Sequence, residues 1–272
     1  MIPPPRIAFL TAQVCLCLAL LVPVSFAQAS KQMNPYETQD LLQRQIGWDE
    51  NQPNVKNPAG LFLQFSKIDE TTSSGKQIAQ YRAYAFGVPE SKKYTLTVWK
   101  IGSDPHTLSS GVYVNAKGLL MTHKPRPEQE YSDFLGDDEY HLAVQAARAE
   151  PVRYALASTD KQLFVSGTVV PFPREDTDRG CRLEVRLAEP DGRAVLIYAD
   201  GLPANAEIPF QQLTADDTRT GKFSVNAQGH AVTTVYPTAS GKDRGSLRVS
   251  LAIPECSVAV EIPWGAGSYR QL

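Results

Sequence analysis

The chain has 272 residues, with 27 basic against 29 acidic side chains and a net charge of −2. Its composition, 42% hydrophobic and 21% charged, is that of a globular protein and excludes wholesale disorder. Without a cationic excess to replace condensed counterions, a broad nucleic-acid-binding surface is disfavoured.

The amino terminus reads as an address. Arg6 is followed by a mostly apolar run, Ile7 to Phe26, which ends on the small-x-small pattern Ala27-Gln28-Ala29. These features predict a secretory signal peptide over residues 1–29, with cleavage after Ala27 as the neighbouring choice. A retained membrane anchor is the alternative, since the run is long enough to span a bilayer. Cys15 and Cys17 lie inside the run and lack the small-residue context of a lipidated cysteine. Removing the leader leaves about 240 residues, room for two domains of ~100–120 residues each. Arg6 is the one charged residue removed, so 26 basic and 29 acidic residues remain, a net −3. The expected location is the periplasm, the outer surface or the extracellular space. Of the four cysteines, Cys181 and Cys256 stay with the mature chain. One disulfide is expected in an oxidising compartment, with two free buried thiols as the alternative.

Residues 30–60 form a polar segment containing one helix signal, over 35–46. Asn34 caps, Pro35 suits the first helical position, and Glu37 completes a capping box. Leu41, Leu42 and Ile46 form its apolar face, and Gly47 ends it. Three turns of helix are marginal alone in water, so this face must dock, either on the first sheet unit or on a partner protein.

From residue 61 onward the sequence is written in strand language, and it repeats. Tyr84-Ala85-Phe86-Gly87-Val88-Pro89 matches Tyr198-Ala199-Asp200-Gly201-Leu202-Pro203. Val112 to Gly118 matches Phe223 to Gly229, including Asn115-Ala116-Lys117-Gly118 against Asn226-Ala227-Gln228-Gly229. Leu142 to Ala147 is set against Leu247 to Ala252. Ordered matches of this kind predict tandem copies of one unit, over 61–158 and 163–272. Candidate strands include Tyr94 to Ile101 and Cys181 to Leu187, the second alternating apolar and charged residues. Val165 to Val170 starts the second unit or bridges into it. Glu189-Pro190-Asp191-Gly192 predicts a hairpin turn. The predicted fold is all-β: two tandem antiparallel β-sandwich domains of immunoglobulin-like type, with a transthyretin-like or jelly-roll arrangement as the alternative, preceded by the signal peptide and the short helix.

Catalytic chemistry finds no foothold in the sequence. His106, His123, His141 and His230 form no metal-ligand spacing, and no nucleophile elbow or phosphate loop occurs. Glu175-Asp176-Thr177-Asp178 is the densest oxygen-donor set and reads as a solvated loop, with a weak calcium site as the alternative. No catalytic residue, metal ligand or cofactor is assigned, and the chain is read as a non-enzyme. Trp264 and Tyr269, near the end of the last strand, are candidates for a protein-docking or sugar-stacking patch. Phe134, in the long loop 124–138, is a further candidate anchor. The expected role is an exported structural or protein-interaction module, an accessory subunit of a multisubunit periplasmic or cell-surface assembly. Peripheral membrane association through a partner is compatible with this role, beside the retained-anchor alternative. A carbohydrate-binding or adhesive module that takes up polysaccharide is the alternative, and a secreted hydrolase is a more distant one.

Overall fold

A computed structural model describes residues 57, 59–73, 76–123, 138–160, 162–215 and 217–269. The expected signal peptide, the helix over 35–46 and Phe134 lie outside the described residues, as do Leu41, Leu42 and Ile46. The described chain is all-β. It holds β1 (Phe62–Ser73), β2 (Lys76–Phe86), β3 (Tyr94–Lys100), β4 (His106–Val114), β5 (Leu120–Met121), β6 (His141–Val144), β7 (Val152–Ser158) and β8 (Phe164–Val169). These are followed by β9 (Arg174–Asp178), β10 (Cys181–Leu187), β11 (Val195–Asp200), β12 (Glu207–Thr214), β13 (Asp217–Ser224), β14 (Ala231–Val235), β15 (Arg244–Ile253) and β16 (Cys256–Gly265). Every pairing is antiparallel.

Four sheets result, ordered β1-β2-β6, β5-β4-β3-β7-β8, β14-β11-β10-β9 and β13-β12-β15-β16. The first two enclose one core, with Tyr94, Leu96, Val112, Leu142, Leu156 and Val165 among its buried members. The last two enclose another, built on Leu183, Val185, Ile197, Phe223, Leu247 and Val258. Strand alternation explains the layering. Along β10, Cys181, Leu183, Val185 and Leu187 point into the core, while Arg182 and Arg186 point out.

The pairing order recurs. β1-β2-β6 in the first set matches β10-β11-β14 in the second, and β4-β3-β7-β8 matches β13-β12-β15-β16. The repeated Asn turns close identically. Asn115 Oδ1 accepts from the N–H groups of Lys117 and Leu119, both at 3.0 Å. Asn226 Oδ1 accepts from Gln228 and His230, both at 2.9 Å. Gly87 and Gly201 also share one role. Their φ values are +75° and +72°, and a Cβ would stand 2.6 Å from the Gly60 carbonyl oxygen or 2.0 Å from that of Gly180. Gly201→Ala therefore combines left-handed strain with a backbone clash, and is expected to destabilise the fold by about 2 kcal/mol or more in urea unfolding. A change under about 0.5 kcal/mol would remove this account of the repeat.

Three expectations are corrected by the strand order. The match of Leu142–Ala147 to Leu247–Ala252 joins β6 to β15, which occupy non-equivalent places. By position β6 corresponds to β14, and β7 to β15. Val165–Val170 does not open the second set, because β8 pairs along β7 from Val152↔Val169 to Ala157↔Phe164. Glu175–Asp178 is not a solvated loop but most of β9. Its Asp176 and Asp178 accept, both at 2.8 Å, from the backbone N–H groups of Ala259 and Ser257 on β16. β16 is the last strand of its sheet, so these carboxylates satisfy an edge that would otherwise be open. The first set uses an amide for the same task. Asn57 accepts from Ser166 N–H at 2.7 Å and donates to Ser166 O at 2.8 Å, on the edge strand β8.

The two sets meet through packed loops. Ile101 and Ala149, which belong to the first set's loops, are buried in the second core. Ala149 has φ +65°. Its N–H donates to Phe172 O and its carbonyl accepts from Leu187 N–H, both at 2.8 Å.

Candidate functional site

Cys181 and Cys256 are joined in a disulfide with Cα atoms 6.2 Å apart. Cys181 opens β10 and Cys256 opens β16, so the bond ties the two sheets of the second set across its core. Trp264 is not a surface anchor. It is 3% exposed and belongs to the second core, because its place on β16 puts it on the inward face with Val258, Val260 and Ile262. Tyr269 is half-buried against the same core, and its hydroxyl donates to Pro263 O at 2.8 Å.

The aromatic residues on an outward sheet face are others. Phe62 and Phe86 are directly paired across β1 and β2, with ring centroids 4.8 Å apart, and Tyr84 stacks on Phe86 at 6.2 Å. The stacking strengthens the hairpin, and Phe62 remains 47% exposed.

The histidines are dispersed among carboxylates. His230 Nδ1 lies 2.8 Å from Asp200, and His123 Nδ1 lies 3.1 Å from Asp138. His141 Nε2 is 3.1 Å from Glu139, which also takes Arg82 Nε at 2.7 Å. Burial pushes the Glu139 carboxyl up, but the bonds from His141 and Arg82 outweigh it and hold the group below its usual range. His106 is exposed on β4. Among the described residues no group of three or more His, Cys, Asp or Glu is placed to hold a metal ion.

The site that sequence reasoning missed is a groove of about 660 Å³ where the two sets meet. It is lined by Glu150 from the first set and by Glu189, Pro190, Asp191, Arg193 and Tyr269 from the second. The signal was present in Glu189-Pro190-Asp191-Gly192, which reads only as a turn. It is one: Gly192 N–H donates to Glu189 O at 3.0 Å, with Gly192 at φ +73°. The turn sits at the junction because Pro190 packs on Gly102, where a Cβ would lie 2.4 Å from Pro190 Cγ. Three carboxylates and one guanidinium line the groove, and Arg193 Nε is 3.2 Å from Asp191. Burial raises the Tyr269 phenol well above its ordinary value, against an opposing pull from Arg174.

Burial also pushes the Glu150 carboxyl above its ordinary value, opposed by the N–H of Ala147 at 2.7 Å and by the charge of Lys100. A carboxyl raised in the folded state stabilises the fold in acid, and that contribution is lost as pH rises through the folded pKa. Glu150→Gln keeps an acceptor for Ala147 and removes the buried charge. The melting temperature at pH 7 is expected to rise, with no change at pH 4, by differential scanning calorimetry. A fall at pH 7 would show that the charge stabilises the junction instead.

Among the described residues no helix is long and apolar enough to cross a membrane. No protein-family model and no curated protein matches this chain.

Proposed function

We propose that the chain is an exported, non-enzymatic protein built as two tandem immunoglobulin-like sandwiches, serving as a structural or protein-interaction subunit of a periplasmic or cell-surface assembly. The observation that carries the reading is the recurrence of the strand order, β1-β2-β6 with β4-β3-β7-β8 and β10-β11-β14 with β13-β12-β15-β16. Three strands facing four is an immunoglobulin-like division of a seven-strand sandwich. The β7–β8 pairing extends the first unit to Val169. Export is supported by the apolar run from Ile7 to Phe26 and by the disulfide.

Partner contact falls to loops and the junction groove rather than to added strands at the β8 and β16 edges. Asn57, Asp176 and Asp178 already occupy hydrogen-bonding groups there. Burial of Trp264 weighs against the polysaccharide reading.

The test is fractionation of cells making a tagged full-length chain, followed by intact mass and native sizing. The expected product lacks residues 1–29, carries an oxidised Cys181–Cys256 pair, and sediments as a particle larger than the monomer. A reduced, full-length monomer in the cytosolic fraction would overturn the proposal.

A further inference from the structure

The two copies build one scaffold and dress it differently. In the first, the stretch 84–90 and the turn Asn115–Gly118 are clamped together by the Ala85 N–H, which donates to Gly118 O at 2.6 Å. In the second, the Leu202 N–H donates to Gly229 O at 3.1 Å and joins the corresponding stretches. The residues common to both copies, Gly87 with Gly201 and Asn115 with Asn226, serve backbone geometry. The residues that differ stand around the clamp. Where the first copy has Phe86, Glu90 and Lys117, the second has Asp200, Ala204 and Gln228. There Asp200 is taken up by His230 Nδ1 at 2.8 Å.

In the first copy the clamp borders a cavity of about 420 Å³, lined by Phe86, Val88, Glu90, Asn115 and Lys117 among others. That volume lies within the span of small-ligand sites. The Phe86 ring rests against Gly118, where a Cβ would stand 3.5 Å from it. The apolar surface continues past the cavity, because Phe62 pairs with Phe86 at 4.8 Å between ring centroids and is itself 47% exposed. Asn115 is already committed to its own turn, its Oδ1 accepting from the Lys117 and Leu119 N–H groups at 3.0 Å. Hydrogen bonds to a ligand therefore fall to the side chains of Glu90 and Lys117, both exposed at the rim. A carboxylate only accepts and an ammonium only donates. A bound anion would be repelled by Glu90, and a bound cation by Lys117. A hydroxyl suits both, since it donates to the one and accepts from the other. A pyranose ring carries several hydroxyls on its rim and an apolar C–H face for an aromatic wall.

We propose that this cavity binds a neutral pyranose unit of a glycan, with Phe86 and Phe62 meeting its C–H face and Glu90 and Lys117 holding its hydroxyls. The second copy has none of Phe86, Glu90 and Lys117 at the matching positions, so one site per chain is expected. The site does not involve Trp264, whose burial removes only the sugar patch expected there. It is also independent of where the protein resides and of what it assembles with.

The test is calorimetric titration of the purified chain with cellohexaose, chitohexaose and laminarihexaose. At least one is expected to bind with a millimolar or lower Kd and a stoichiometry of one. Lys117→Met and Glu90→Gln should each weaken it by about tenfold or more. Both side chains are exposed, so the β circular dichroism signal and the melting temperature should not move. Phe86→Ala should weaken binding by about tenfold through loss of the aromatic wall. If that variant does not fold, Phe86→Leu takes its place and is scored in the same way. Absence of binding for all three oligosaccharides up to about 10 mM would overturn the proposal. So would binding that persists unchanged in Lys117→Met and Glu90→Gln, which would put the sugar elsewhere. Binding confined to an anionic glycan, tested with oligogalacturonate, would also overturn it, because the site is argued for a neutral ring.

Discussion

Removing the Cys181–Cys256 disulfide, by replacing both residues with Ala, is expected to cost about 4 kcal/mol and to lower the melting temperature of the second set by about 16–32 °C. The bond closes a loop with a sequence separation of 75, and a loop of that size withdraws much entropy from the unfolded chain. Both sulfurs sit in the second core, at 2% and 0% exposure. Alanine there adds small cavities to the lost cross-link. The first set contains no cysteine, so its core should melt as before. A calorimetric scan of the double variant against the parent is the check. A loss below about 1 kcal/mol would mean that the sheet pairs hold without the bond.

The second large effect concerns a charge held out of water. Glu184 is 2% exposed on the outward face of β10. Arg186 Nε donates to it at 2.7 Å and Arg182 Nη2 at 2.8 Å, while Arg186 stacks over Tyr198. Arg186→Met leaves the carboxylate with Arg182, which is itself 41% exposed. The expected cost is about 3 kcal/mol, from breaking a buried pair by removing one partner. Adding Glu184→Leu to that variant should recover most of the loss, because a buried ion pair is worth little more than good apolar packing. Urea titration of the single and double variants closes the cycle. If the double variant is no more stable than Arg186→Met, desolvation of Glu184 is not the cause.

Local chemistry was legible wherever one residue type decides the conformation. Asn115 with Gly118, and Asn226 with Gly229, mark turns through side-chain acceptors and positive φ, and they appear as such. The disulfide pair was legible from cysteine count and compartment. β12 is hard to read from sequence, since its Pro209 argues against a central strand. Its ladder with β15 begins only at Gln211, so the missing N–H of Pro209 is not needed there. β9 was missed because its polarity reads as loop, whereas its aspartates serve a strand about 80 residues later. The same limit misplaced Trp264 and hid the junction groove. Which face a strand presents, and which turn meets Glu150, depend on long-range register, and a single sequence carries no record of it.

The carboxylate seal on β16 makes the cohesion of that edge a function of acidity. Hydrogen bonding from Ser257 holds the Asp178 carboxyl below its usual range, with help from Arg179. The contact therefore survives mild acid and fails only as pH falls through that lowered value. Once protonated, Asp178 becomes a poorer acceptor, and the last strand offers the N–H of Ser257 to any extended segment nearby. Strong acid should thus turn the folded chain into a template for fibrils, detectable by thioflavin fluorescence, before the core itself gives way.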